Sequence, residues 1–178
     1  MQEDDAPGHR VSSLYTREER LRRDASRWTL VQGILAPLQF VVFLISTWLV
    51  WRYLASGEGA GIATASVVLK TLILYSIMIT GSLWERDVFG RYLFARAFFW
   101  EDVVSMLVMA LHTAYLVCVA FDLLPIREQL YLALAAYLTY VVNAGQFLWK
   151  FRLARRQPAP SLGREASNLA QRARAAGV

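Results

Sequence analysis

Cysteine, histidine and alternating patterns are what this chain has least of. Its one cysteine, Cys118, lies inside an apolar run and has no partner for an intrachain disulfide. With two histidines in all, there is no Cys/His cluster at zinc spacing and no CxxC pair. Charged residues make up 19% of the chain, and no stretch alternates apolar with polar residues, which excludes a transmembrane β-barrel. No internal repeat or pair of interrupted apolar helices is present, which argues against an alternating-access transporter. About the first 25 residues are polar and hold no apolar h-region, so no cleavable signal is expected and insertion falls to an uncleaved first helix.

What is present is hydrophobicity in long blocks. Hydrophobic residues make up 56% of the chain, and the mean hydropathy is +0.34. Four blocks stand out, at about 29–54, 62–84, 102–121 and 128–149. Each is close to the roughly 20 residues that cross a bilayer as a helix. Backbone groups in lipid must bond within their own segment, so helix is expected even through Val67-Val68. The expected fold is all-α: an integral membrane four-helix bundle over residues 15–156.

The net charge of +5 would ordinarily raise the question of nucleic acid. Here the basic residues flank apolar blocks, so no nucleic-acid partner is expected. Arg17, Arg20, Arg22, Arg23 and Arg27 precede the first block. Arg86, Arg91 and Arg96 follow the second; Lys150, Arg152, Arg155 and Arg156 follow the fourth. The other two loops carry only Arg127. The bias places both termini in the cytoplasm. Residues 1–14 are expected to be disordered, 15–28 to form an arginine-rich amphipathic lead-in, and the proline-led 157–178 a mobile tail. The aromatic and basic segment 90–100, GRYLFARAFFW, is expected to lie among headgroups.

Ionisable residues within apolar segments usually face a bundle interior and mark a working site. Glu85, Glu101 and Asp102 stand at one mouth of the bundle, and His112 lies deep in the third block. Glu101 and His112 are eleven positions apart, about three turns, and share a face with Ser105 and Tyr115. Asp102 points about 100° away. Each has a plainer explanation. Asp102 suits a helix N-terminus, His112 an interhelical hydrogen bond, and Glu85 an ion pair with Arg86 or Arg91. Lys70 either snorkels to the far surface or meets a substrate carboxylate. Pro37 predicts a kink in the first helix. Gln32 and Gln39, with Asn143 and Gln146, line a polar cavity or bond between helices.

Long stretches carry a family resemblance: RRDASRWTLVQGILAPLQF (22–40), ATASVVLKTLILYSIMITG (63–81), WERDVFG (84–90), YLFARAFFWEDVVSM (92–106) and LHTAYL (111–116). From about Tyr15 to Arg156 the chain resembles the 3-vinyl (bacterio)chlorophyllide hydratases of bacteriochlorophyll biosynthesis. The resemblance implies hydration of the 3-vinyl group of chlorophyllide a, or of a bacteriochlorin relative, to 3-(1-hydroxyethyl). It implies no cofactor, the magnesium belonging to the substrate, and a place in the bacterial inner or photosynthetic membrane. A homo-oligomer, or contact with other enzymes of the pathway, is compatible with it. In that chemistry Glu101 is the expected proton donor and Glu85 or Asp102 the base that orients water. His112 would ligate the chlorin magnesium or bond to the ring. Arg91 or Arg96, or less favourably Lys70, would hold the propionate, and Asn143 and Gln39 would line the substrate. Two other readings compete: a non-catalytic pigment-binding or assembly protein, and a small transporter or channel subunit.

Overall fold

The structure is a computed structural model that describes residues 15–156, and these form helices without strands. The expectations for 1–14 and 157–178 lie outside the described residues. The helices are α1 (Arg17–Ala25), α2 (Arg27–Ser56), α3 (Ala60–Phe89), α4 (Phe99–Ala120) and α5 (Ile126–Arg156).

Local chemistry sets each boundary. Thr16 starts α1 with a capping box: its hydroxyl accepts from the Glu19 N–H at 3.2 Å, and the Glu19 carboxylate accepts from the Thr16 N–H at 2.7 Å. Ser26 ends α1 and caps α2. Gly57 and Gly90 stop α2 and α3 in the left-handed conformation, at φ 76° and 75°. Hydropathy ends α3 at Trp84. The helix instead runs on through Glu85, Arg86 and Asp87, because charged residues propagate a helix well and only Gly90 breaks it. α2 and α5 likewise extend beyond their apolar blocks at both ends, and α4 at its start.

α2, α3, α4 and α5 are each long and apolar enough to cross a membrane. Leu30, Trp48, Leu69, Leu138 and Trp149 stand exposed on their outer faces, as lipid-facing residues do. The chain is thus a multi-pass membrane protein. α2 packs mainly on α3 and α4 mainly on α5, giving two hairpins. Phe43, Tyr137 and Tyr140 join the hairpins at the centre, with Phe43 5.0 Å from the Tyr140 ring. α3 and α4 meet along a thinner seam. α1, the α3–α4 loop and the end of α5 share one end of the bundle, the basic end.

The α3–α4 loop has an outward and an inward side. Arg91, Tyr92, Arg96 and Trp100 are exposed, but Ala95 and Phe98 turn inward and are buried. Phe98 contacts the rings of Tyr15, Trp84, Phe89, Phe147 and Phe151. Burying such a ring stabilises by about 1.5–3 kcal/mol, so the inward side plugs the bundle end. Tyr15 stacks on Phe89 and lies under Arg23; burial pushes its hydroxyl up to about 12, with Arg23 opposing.

Candidate active site

The inward face of α4 carries Glu101, Ser105, Val108, His112 and Tyr115, all buried, as their helical spacing predicts. At the basic end Glu101 meets Lys150 of α5, Nζ to Oε2 at 2.6 Å. Lys150 also sits over the Phe98 ring, 5.1 Å from its centre. One turn deeper, the Asn143 side-chain N–H donates to the Ser105 hydroxyl at 2.8 Å.

Asp102 and Glu85 complete the cluster from α4 and α3. Both are buried, and each carboxylate is held by one of two consecutive loop amides, which sets them close together. Two buried carboxyl groups so placed repel each other when both are ionised, which favours a proton shared between them. Loop backbone orients the pair. The Phe94 N–H donates to Asp102 at 2.7 Å, and the Ala95 N–H donates to Glu85 at 3.3 Å. Phe94 holds a left-handed φ of 60°, rare for a bulky residue and costing about 1–2 kcal/mol. Such strain gathers where surrounding structure fixes a functional group.

About 16 Å away along α4, by the helical rise, lies a second polar centre. Lys70 and His112 are fully buried, Nζ to Nε2 at 2.6 Å. His112 Nδ1 lies 2.8 Å from the Val108 carbonyl. A carbonyl only accepts, so Nδ1 carries the hydrogen and Nε2 accepts from Lys70. The lysine Nζ also lies over the rings of Tyr140 and Tyr137, at 4.2 and 5.0 Å.

Several expectations are corrected here. Lys70 does not snorkel, because His112 and two tyrosine rings hold it inside. Both His112 nitrogens are partnered, Nε2 by Lys70 and Nδ1 by the Val108 carbonyl, so ligating magnesium would require the Lys70 contact to break. Glu85 pairs with Asp102 and the Ala95 amide; no ion pair with Arg86 or Arg91 occurs among the described residues. Arg91 and Arg96 are exposed and lie outside the buried cluster, while Arg86 stacks on Tyr92. The glutamines divide. Gln32 donates to Thr80 and the Ile77 carbonyl of α3, an interhelical bond. Gln39 is buried with neither amide atom partnered, and the Asn143 and Gln146 side-chain oxygens are also unpartnered.

Two contributors escaped the sequence. Lys150 counted only as a flanking charge, although it lies seven positions from Asn143 and so shares its face. The amides of Phe94 and Ala95 have no sequence signature.

Fold and site define a polytopic all-α membrane protein with three buried carboxyl groups and a half-buried lysine at one end. Residues 15–153 match the family described as 2-vinyl bacteriochlorophyllide hydratase. A protein of that name from Cereibacter sphaeroides is 66% identical over 142 residues, covering 80% of this chain and 88% of the relative. Its counterpart from Rhodobacter capsulatus is 63% identical over 147 residues, covering 83% and 85%. No solved structure matches the chain. The chain belongs to the 2-vinyl bacteriochlorophyllide hydratase family, and it is a hydro-lyase.

Proposed function

We propose that this chain hydrates the ring vinyl group of a chlorophyllide-type macrocycle to 1-hydroxyethyl, a step of bacteriochlorophyll biosynthesis. The position numbered 2 in the family's name is C3 in current macrocycle numbering. The observation that carries the mechanism is the Glu85–Asp102 pair, fixed by two loop amides beside the Glu101–Lys150 ion pair.

A proton held between Glu85 and Asp102 goes to the terminal vinyl carbon. The cation that develops on the inner vinyl carbon is spread over the macrocycle. Water attacks that carbon, and Glu101 takes the water's proton, which solvent returns to the pair. This reverses the expected roles: the Lys150 ammonium presents Glu101 as a carboxylate, which suits a base better than a donor. General acid and general base each contribute roughly 10²–10⁴-fold. No cofactor takes part, and the magnesium is the substrate's own. The basic end faces the cytoplasm, with both termini, in the membrane where the pigment is made.

Membranes containing the protein, incubated with chlorophyllide a, give a product one water heavier with a blue-shifted red band. Pigment that binds tightly but returns unchanged, with the bacteriochlorin substrate as well, replaces this reading with a non-catalytic pigment-binding protein. A reporter fused at Gly59 that proves cytoplasmic reverses the topology.

A further inference from the structure

The pair at mid-bundle has no part in the proton transfers above. Lys70 is fully buried, and no acidic side chain bonds to it among the described residues. An ammonium in an apolar bundle is costly unless it meets an anion or does work. A lysine ammonium has three N–H donors. One is taken by His112 Nε2, whose tautomer is fixed by the Val108 carbonyl; the remainder face tyrosine rings. The arrangement is an anion seat without its anion.

We propose that Lys70, held by His112, binds the carboxylate arm of the macrocycle. The substrate then lies along α4 with its arm at mid-bundle and its vinyl group at the carboxyl cluster. This rests on the hydratase reading and adds an orientation to it.

Three further observations agree. The two centres lie about 16 Å apart along α4, a span that suits a chlorin ring with its propionate arm extended. Between them sit buried polar atoms that need partners: both amide atoms of Gln39 and the Asn143 oxygen. They stand one turn towards the basic end from the Phe43–Tyr140 contact on α2 and α5, where the ring's carbonyl groups would pass. Charge also fixes the direction. Glu85, Glu101 and Asp102 crowd the basic end, and the half-buried Lys150 beside them is already paired with Glu101. Inside that cluster a carboxylate arm meets only other carboxyl groups and a lysine already paired, whereas at Lys70 it meets a cation bonded to a neutral imidazole. Entry requires the thin α3–α4 seam to part beside Lys70 and His112, where the Tyr75 and Thr113 hydroxyls bridge it at 2.7 Å.

The test compares chlorophyllide a with its propionate methyl ester, using full-length protein in membranes. For the wild type, esterification raises KM about 10–100-fold, the range for losing a charged hydrogen bond, and leaves kcat within a few-fold. Lys70→Met raises KM for the free acid by the same factor and makes the enzyme indifferent to esterification. Lys70→Arg keeps part of the preference. Equal KM for acid and ester in the wild type overturns the proposal. So does a Lys70→Met enzyme that still discriminates, above all if Arg91→Gln or Arg96→Gln abolishes the discrimination. If Lys70→Met fails to accumulate, Arg91→Gln and Arg96→Gln decide: a wild-type preference that both keep supports Lys70, and one that either abolishes overturns it. A wild type that hydrates neither pigment sinks the hydratase reading, and the orientation with it; hydration that ignores the ester sinks only the orientation.

Discussion

The two polar centres of this bundle are built by opposite means. The carboxyl cluster takes Glu85, Glu101 and Lys150 from the ends of three helices, and its orientation comes from loop amides. The Lys70–His112 pair sits on uninterrupted helix, and its orientation comes from a helical carbonyl and aromatic faces. A proton donor must be reloaded, so it belongs at a bundle end beside a loop that can admit solvent. An anion seat gains from being sealed, because a dry surrounding strengthens every charge–charge contact. The cluster should therefore govern kcat, and the pair should govern KM.

The sharpest way to break that division is at the carboxyl pair. Asp102→Asn and Glu85→Gln keep shape and remove an ionisable group. Each is expected to lower kcat by roughly 10²–10⁴-fold with KM little changed, as loss of a general acid does. Each variant should still accumulate in membranes. Hydration kinetics at saturating pigment check this; a variant that raises KM and spares kcat would make the cluster a binding site.

The four spans were legible because apolar blocks of about 20 residues have few other uses. The inward face of α4 was legible because Glu101, Ser105 and His112 keep helical period. The ends were not: hydropathy stops α3 at Trp84, before the first charge, whereas the helix stops only at Gly90. The Lys70–His112 pairing left a trace in the sequence. Lys70 lies eleven positions after Gly59 and His112 nine before Phe121, so both sit at similar depth from the far turns. Depth alone does not say that the two faces meet. That depends on how the hairpins pack, which the packing of α2 against α5 around Phe43, Tyr137 and Tyr140 decides.

A smaller effect separates the members of the cluster. If Lys150 acts by holding Glu101 as a carboxylate, Lys150→Met and Glu101→Gln remove the same thing. Each should lower kcat by about 10²-fold, the low end for a general base, and the double variant should be no worse than Glu101→Gln. A cycle measured in membranes returns the coupling directly. Effects that multiply would mean that Lys150 does separate work, such as gripping the pigment.

The smallest expected effect concerns the strained loop. Phe94→Gly relieves a left-handed φ worth about 1–2 kcal/mol in strain. It also frees the unfolded chain, which offsets about 0.4–1 kcal/mol of that. It loses the ring contact with Phe99 as well. Thermal stability should therefore move by no more than about 1 kcal/mol. The N–H that orients Asp102 would be less firmly placed, and kcat should fall a few-fold while the preference for the free acid over the ester stays intact. Phe94→Ala keeps the strain and loses the ring, so it should hold kcat closer to the wild type than glycine does. If glycine and alanine behave alike, the strained backbone has no part in aiming the carboxyl pair, and the loop serves only as a plug around Phe98.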